Sequence, residues 1–375
     1  MRNCLIAFAF VLTAFARAAE PLYVEFTKNL ENAFQQRDPA LFNRAWDVEA
    51  TVTKAVTGLA LSEKAKSGFL LGVKRSSLGQ QICQGLGKRG TYKLISMRQL
   101  KGKPHALFRL ISNNGLNYHE MELARAADGT VCVTDIYIYA LGEWISDTFR
   151  RGALALAAEE NKNIIERLAG REGDYIKNLP KIRVFQEDVR NNRYKEAMAS
   201  WAQLPASVQT DKTLLVLHAA AAQHISDAEH QQALAALEKN HPQDPCLNLM
   251  MIDAYLLRKE YDKLLAVIDR LDTGVGGDPY LNVLRTGAFL PRNDYAKARE
   301  LAQKAIEQEP TLMPAYWTLV TVSIAAKEYA ETARLLTLIE IKLGIRFADL
   351  GKVSEYAGFV KSPEYTAWMK ARAKN

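Results

Sequence analysis

Eight residues between positions 98 and 139 could do chemistry together if the chain folds there as a sheet: Arg98, Arg109, Tyr118, Glu120, Glu122, Asp135, Tyr137 and Tyr139. Turn signals at Lys101-Gly102-Lys103-Pro104, Asn113-Asn114-Gly115 and Asp128-Gly129 separate four strands of period two. Two-residue turns would set Ser96, Arg109, Glu120 and Tyr137 in one row, with Arg109 directly opposite Glu120 as the Asn114-Gly115 turn requires. Arg98, Leu107, Glu122 and Asp135 would form the next row, and Tyr118 and Tyr139 extend the group. Glu122 facing Asp135 is unfavourable unless an arginine intervenes or one carboxyl keeps its proton, as in an acid/base pair. The same residues serve equally as a solvent-facing or subunit-facing surface of Arg–carboxylate pairs, and a slip of one residue dissolves the group. No other residues have the spacing of a catalytic, metal or cofactor site, so the reading is of no catalytic residue, no metal and no cofactor.

Positioning these residues requires a sheet with one covered face. Met97, Phe108, Met121 and Ile136, beside Ile95, Leu110, His119 and Ile138, form that face. Three helices precede it: one around 23–36, one opened by Asp38-Pro39, and one after Leu61 that Ser62 caps. The third carries Lys64, Lys66, Lys74 and Arg75, with Lys88 and Arg89 beyond, and reads as a solvated cationic face.

Helices first and a four-stranded meander afterwards make residues 20–142 resemble the nuclear transport factor two-like α+β fold, a cone whose sheet wraps a pocket. The resemblance rests on element order. It implies either a small-molecule enzyme with an Asp or His base deep in the cone, or a noncatalytic binding or dimerisation module. His119 and Asp135 are the comparable residues, and the expected registers put them on opposite faces.

The 375 residues suffice for two domains and a processed segment. Residues 1–19 read as a secretory signal: Arg2, an apolar run from Leu5 to Phe15, then Ala16-Arg17-Ala18. Cys4 has no lipobox, and no later apolar run could span a bilayer, so the expected place is the periplasm or the extracellular space. The net charge of +7 comes mostly from the N-terminal part: residues 20–150 hold 17 basic and 13 acidic side chains, those beyond 150 hold 30 and 29, and Arg2 and Arg17 add the rest. No basic run with interleaved aromatics points to nucleic acid. Cys83, Cys132 and Cys246 read as small buried thiols, with a Cys83–Cys132 bridge as the alternative.

Residues 143–173 read as a connecting helix ended by Gly170. Beyond it a 34-residue period sets in. Tyr261, Tyr295 and Tyr329 share one position; Ala298, Ala302 and Ala305 make one helix face, and Pro310 ends the clearest unit. Units begin near Asp174, Asp211, Pro245, Pro279 and Met313. Residues 174–346 therefore resemble tetratricopeptide repeats, a solenoid of helix pairs, with residues 347–375 as a C-terminal cap. The resemblance implies a concave groove lined by Leu215, Ala219, Leu249, Asp253, Leu256, Tyr280, Val283, Leu290, Trp317 and Thr321, suited to an apolar or aromatic-rich peptide or to this protein's own tail. The combined reading is an exported noncatalytic scaffold that binds a protein or peptide of the cell envelope, with homodimerisation through the N-terminal domain a further expectation. The alternative is a small-ligand-binding protein or enzyme using the cone pocket.

Overall fold

A computed structural model describes residues 20–112, 115–160, 171–242 and 244–373; the signal segment and the Gly170 stop lie outside them. Two compact units account for the chain.

The first unit comprises residues 20–58, 62–137 and 144–150. Five helices lead it: α1 (Pro21–Gln35), α2 (Ala40–Ala45), α3 (Val48–Val56), α4 (Glu63–Lys74) and α5 (Leu78–Leu86). Local sequence sets their starts. Pro21 stands in the first turn of α1, and the Asp47 and Ser62 side chains accept from the Ala50 and Ala65 amides to cap α3 and α4. The strands follow in sequence order across the sheet: β1 (Thr91–Leu100), β2 (Lys103–Ser112), β3 (Gly115–Arg125), β4 (Val131–Ile138) and the two-residue β5 (Glu143–Trp144). The sequence pattern suggests four strands; the fifth is too short to show periodicity. Phe34 of α1 and Phe108 of β2 pack against Tyr92 of β1, with ring centroids 4.8 and 4.9 Å away, and all three are fully buried.

Register departs from expectation in two places. Ser112 pairs with Gly115 rather than with Asn117 as the expected turn would set it. Every pair slips by two residues: Arg109 faces Tyr118, and Leu107 faces Glu120. A slip of two preserves the faces and changes the partners. Between β1 and β2 the turn pairs Leu100 with Lys103, which sets Arg98 opposite His105 rather than Leu107, and a bulge at Ile95 shifts the residues before it by one more.

The second unit comprises residues 59–61, 138–143 and those from 151 onward. Helix α6 (Ile145–Glu160) runs from one unit into the other. Then come α7 (Arg171–Lys177), α8 (Leu179–Arg190), α9 (Tyr194–Ala202), α10 (Ala206–Gln209), α11 (Lys212–Ala222), α12 (Asp227–Asn240), α13 (Pro245–Leu257), α14 (Tyr261–Val275), α15 (Pro279–Phe289), α16 (Tyr295–Gln308), α17 (Met313–Ala325), α18 (Tyr329–Leu343), α19 (Ala357–Val360) and α20 (Pro363–Arg372). The helices pack in consecutive pairs, α13 with α14, α15 with α16 and α17 with α18. Tyr261, Tyr295 and Tyr329 open the second members. Buried positions repeat with them: Leu264, Ala298 and Thr332 are equivalent and fully buried, as are Ile268, Ala302 and Leu336. A helix pair cannot cover both its faces, so each pair packs on the next.

The turn within a pair is also repeated. Asn192, Lys259, Asn293 and Lys327 all have φ near +60°, each two residues before a second helix. The next residue's amide reaches back to a first-helix carbonyl: Arg193 to Asp188, Glu260 to Tyr255, Asp294 to Phe289 and Glu328 to Ser323. The α11–α12 turn instead uses Ser226 as a cap, its Oγ accepting from the Glu229 amide. At the far end, Phe359 of α19 and Trp368 of α20 close the core over Leu336 and Ile339.

Candidate functional site

The acidic sheet-face residues are largely buried and ion-paired to cations that reach partly into solvent. Arg98 grips Glu120 with two parallel hydrogen bonds, Nε to Oε1 at 2.9 Å and Nη2 to Oε2 at 2.5 Å. His105 Nδ1 lies 3.2 Å from the same Oε1, and its ring meets Trp144 edge-on, as does Tyr137. The expected cross-strand partner Arg109 is fully buried beside Tyr118, also fully buried, so the guanidinium opposite Glu120 comes from β1 rather than β2. Burial pushes the Glu120 carboxyl up, but hydrogen bonds from His105 and Arg98 outweigh it, and the group stays below the usual carboxylate range.

Glu122 has separate partners: Lys54 at 2.7 Å, Lys103 at 3.0 Å and the Thr134 hydroxyl at 2.6 Å. These donors overcome its desolvation and pull its carboxyl down to about 2. Asp135, 3% exposed, accepts from the Ser146 hydroxyl at 2.6 Å and lies 3.4 Å from Lys54. Lys54 thus sits between Glu122 and Asp135, where an arginine was expected. Tyr139 is buried and Tyr137 nearly so. Glu120 and Glu122, each held ionised by two or three donors, are poor proton acceptors. Lys54, Lys103, His105, Trp144 and Ser146 complete the cluster. Nothing in the sequence marks them, because Lys54 comes from a helix and Ser146 from beyond the meander.

His119 belongs to another cluster. Its Nδ1 lies 3.1 Å from the Tyr92 hydroxyl and its Nε2 3.3 Å from Asn117 Nδ2, and burial pushes its imidazole down to about 4. A cleft of about 430 Å³ lies elsewhere in this unit, lined by Asn43, Trp46, Asp47, Val48, Glu49, Lys74, Ser77 and Leu78. None of the eight sheet residues lines it. Among the described residues no group of acidic, His and Cys side chains could hold a metal, and Cys83, Cys132 and Cys246 are free thiols.

On the helix pairs, Asp253, Leu256 and Thr321 are exposed, and Leu249, Tyr280, Val283 and Leu290 are half-buried. Leu256 reaches from α13 to α15, its Cδ1 3.2 Å from where Gly287 would carry a Cβ. Neighbouring Leu257 is 71% exposed. Protein around Asp253 pushes its carboxyl above the ordinary range, which His230 only partly offsets. Two expected positions are not open. Leu215 and Ala219 are buried, since α11 is covered by α8, α9 and α10 as well as α12. Trp317 is half-buried under the tail, its ring edge-on to Phe347. Among the described residues no helix is long and apolar enough to cross a membrane.

No family model and no curated protein matches the chain. Among solved structures it is similar to PilW, described as a widely conserved type IV pilus biogenesis factor, at 14% identity over 53% of this chain and 93% of that one. The TM-score is 0.40, too low for the likeness to carry an argument.

Proposed function

We propose that this protein is an exported, noncatalytic scaffold whose helix pairs are tetratricopeptide repeats stacked as a solenoid, and that Leu249, Asp253, Leu256, Tyr280, Val283 and Leu290 receive a protein or peptide of the cell envelope. One observation carries the reading: on the first helices α13 and α15 apolar side chains stay exposed or half-exposed, Leu256 at 39% and Leu249, Tyr280 and Val283 half-buried, while Leu264, Ile268, Ala298 and Ala302 of the second helices α14 and α16 are sealed. A row of open apolar positions repeated by a stacked unit is how helical repeats present a binding surface. The N-terminal unit is read as nuclear transport factor two-like, a second interface or a dimerisation module. Its charged face is already paired internally, which supports a noncatalytic role. Export follows from the leader-like residues 1–19.

The test is co-purification from cell-envelope extracts of the wild-type chain and of Leu256→Asp/Val283→Asp. Both sites are partly open, so the variant keeps its melting temperature while partner recovery falls about thirtyfold or more. Equal recovery from both chains would overturn the reading.

A further inference from the structure

Helix α4 (Glu63–Lys74) differs from the other helices of its unit. Among its residues only Val73 is buried, and Phe69, half-buried, meets Phe149 edge-on at 6.4 Å. The opposite stripe carries Lys64, Leu71 and Arg75, spaced by two turns and then one, and all three are exposed. Leu71 is 50% exposed, and Gly68 and Gly72 beside it have open space where a Cβ would stand. The leucine therefore projects from bare backbone between two cations. Among the described residues neither Lys64 nor Arg75 is ion-paired, while Lys66 and Lys74 bond Glu63 and Glu49 in solvent-exposed pairs that salt weakens. From Glu63 to Arg75 the chain has four basic side chains and one acidic.

We infer that α4 docks on an anionic phospholipid surface. Charge complementarity selects an anionic occupant. The pattern selects a membrane over a protein: an exposed leucine beside exposed cations fits between headgroups while lysine and arginine stems lie along them. The contact is peripheral and separate from the surface assigned to the helix pairs.

The experiment is co-sedimentation of the full chain with phosphatidylcholine vesicles and with vesicles that also carry phosphatidylglycerol. Binding is expected only to the second, and to be lost at high salt. At roughly fivefold per charge, Lys64→Gln/Arg75→Gln weakens it about thirtyfold, and Leu71→Ser weakens it at unchanged charge. Apolar residues 5–15 are common to every variant, so differences report α4. Leu71→Trp supplies a direct reading, a blue shift of its fluorescence on adding phosphatidylglycerol vesicles. Equal binding to both vesicle types, no binding, or no blue shift overturns the inference. So does a dimer that Leu71→Ser dissolves without vesicles, which would make a second copy the occupant.

Discussion

Trp317 and Phe347 meet edge to face, their ring centroids 5.7 Å apart, and Phe347 stands 6.0 Å from Trp368 in turn. The last pair's first helix is thereby joined to the tail. Arg372 reinforces the contact, its guanidinium 4.5 Å from the Trp368 ring centroid and 2.8 Å from Glu340. Among the described residues Leu249 and Leu256 have no such ring contact, and the proposed binding surface narrows to α13 and α15.

Trp317→Ala and Phe347→Ala should each lower the stability of the helical unit, and the double variant should lose less than their sum. The expected coupling is about 0.5–1.5 kcal/mol, typical of aromatic pairs. A double-mutant thermal-unfolding cycle measures it; zero coupling would mean the tail does not hold Trp317.

Breaking the Arg98–Glu120 pair leaves a buried charge alone. Arg98→Ala, which strands the buried Glu120 carboxylate, should destabilise the N-terminal unit by roughly 3–5 kcal/mol, more than an exposed pair would. Coupling of Glu120 to Arg98 should exceed its coupling to Arg109. Denaturant unfolding of the single and double variants separates the observed register from the one the turn sequence suggests.

Acid should unfold the protein in a set order. Burial holds the imidazoles of His119 and His218 down to about 4, against an ordinary 6.5. Stability from keeping each ring neutral is whole above about pH 6.5 and is lost as pH falls toward 4, up to about 3 kcal/mol per ring. Glu122, held down to about 2 from an ordinary 4.5, adds a second loss below pH 4.5. Melting midpoints from pH 8 to about 3 should therefore fall in two stages, and His218→Leu should flatten the first.

The repeated turn offers a stabilising change. Lys259 and Lys327 hold left-handed backbone that costs an ordinary residue about 1 kcal/mol or more. Lys259→Gly and Lys327→Gly should each raise the melting temperature, whereas Asn293→Gly should do little, because asparagine tolerates that conformation and Asn293 accepts from the Tyr295 hydroxyl at 2.8 Å.

Much of this architecture is legible in the sequence for physical reasons. A 34-residue period in Tyr261, Tyr295 and Tyr329 is a long-range signal that no single substitution erases, and Ser62 before an apolar run marks a helix start. The sheet's faces are legible too, since period two fixes which residues share a side. Partners within a face are not. Pairing Ser112 with Gly115 moved Arg109 from Glu120 to Tyr118, and pairing Leu100 with Lys103 set Arg98 opposite His105, within reach of Glu120. Lys54 was invisible because its link to Glu122 spans 68 positions. Openness was illegible as well: Leu215 and Leu249 share a pattern position, yet neighbouring helices bury the first and leave the second half-exposed.

The scaffold reading is tested most directly by site-specific photocrosslinking in living cells. A photoreactive side chain placed at Leu256 or Tyr280 should form adducts with one partner protein, and the same group at exposed Lys304 on α16 should form none. Leu249→Asp should abolish the Tyr280 adduct while the melting temperature holds. Absence of adducts at Leu256 and Tyr280, or equal adducts at Lys304, would contradict the account.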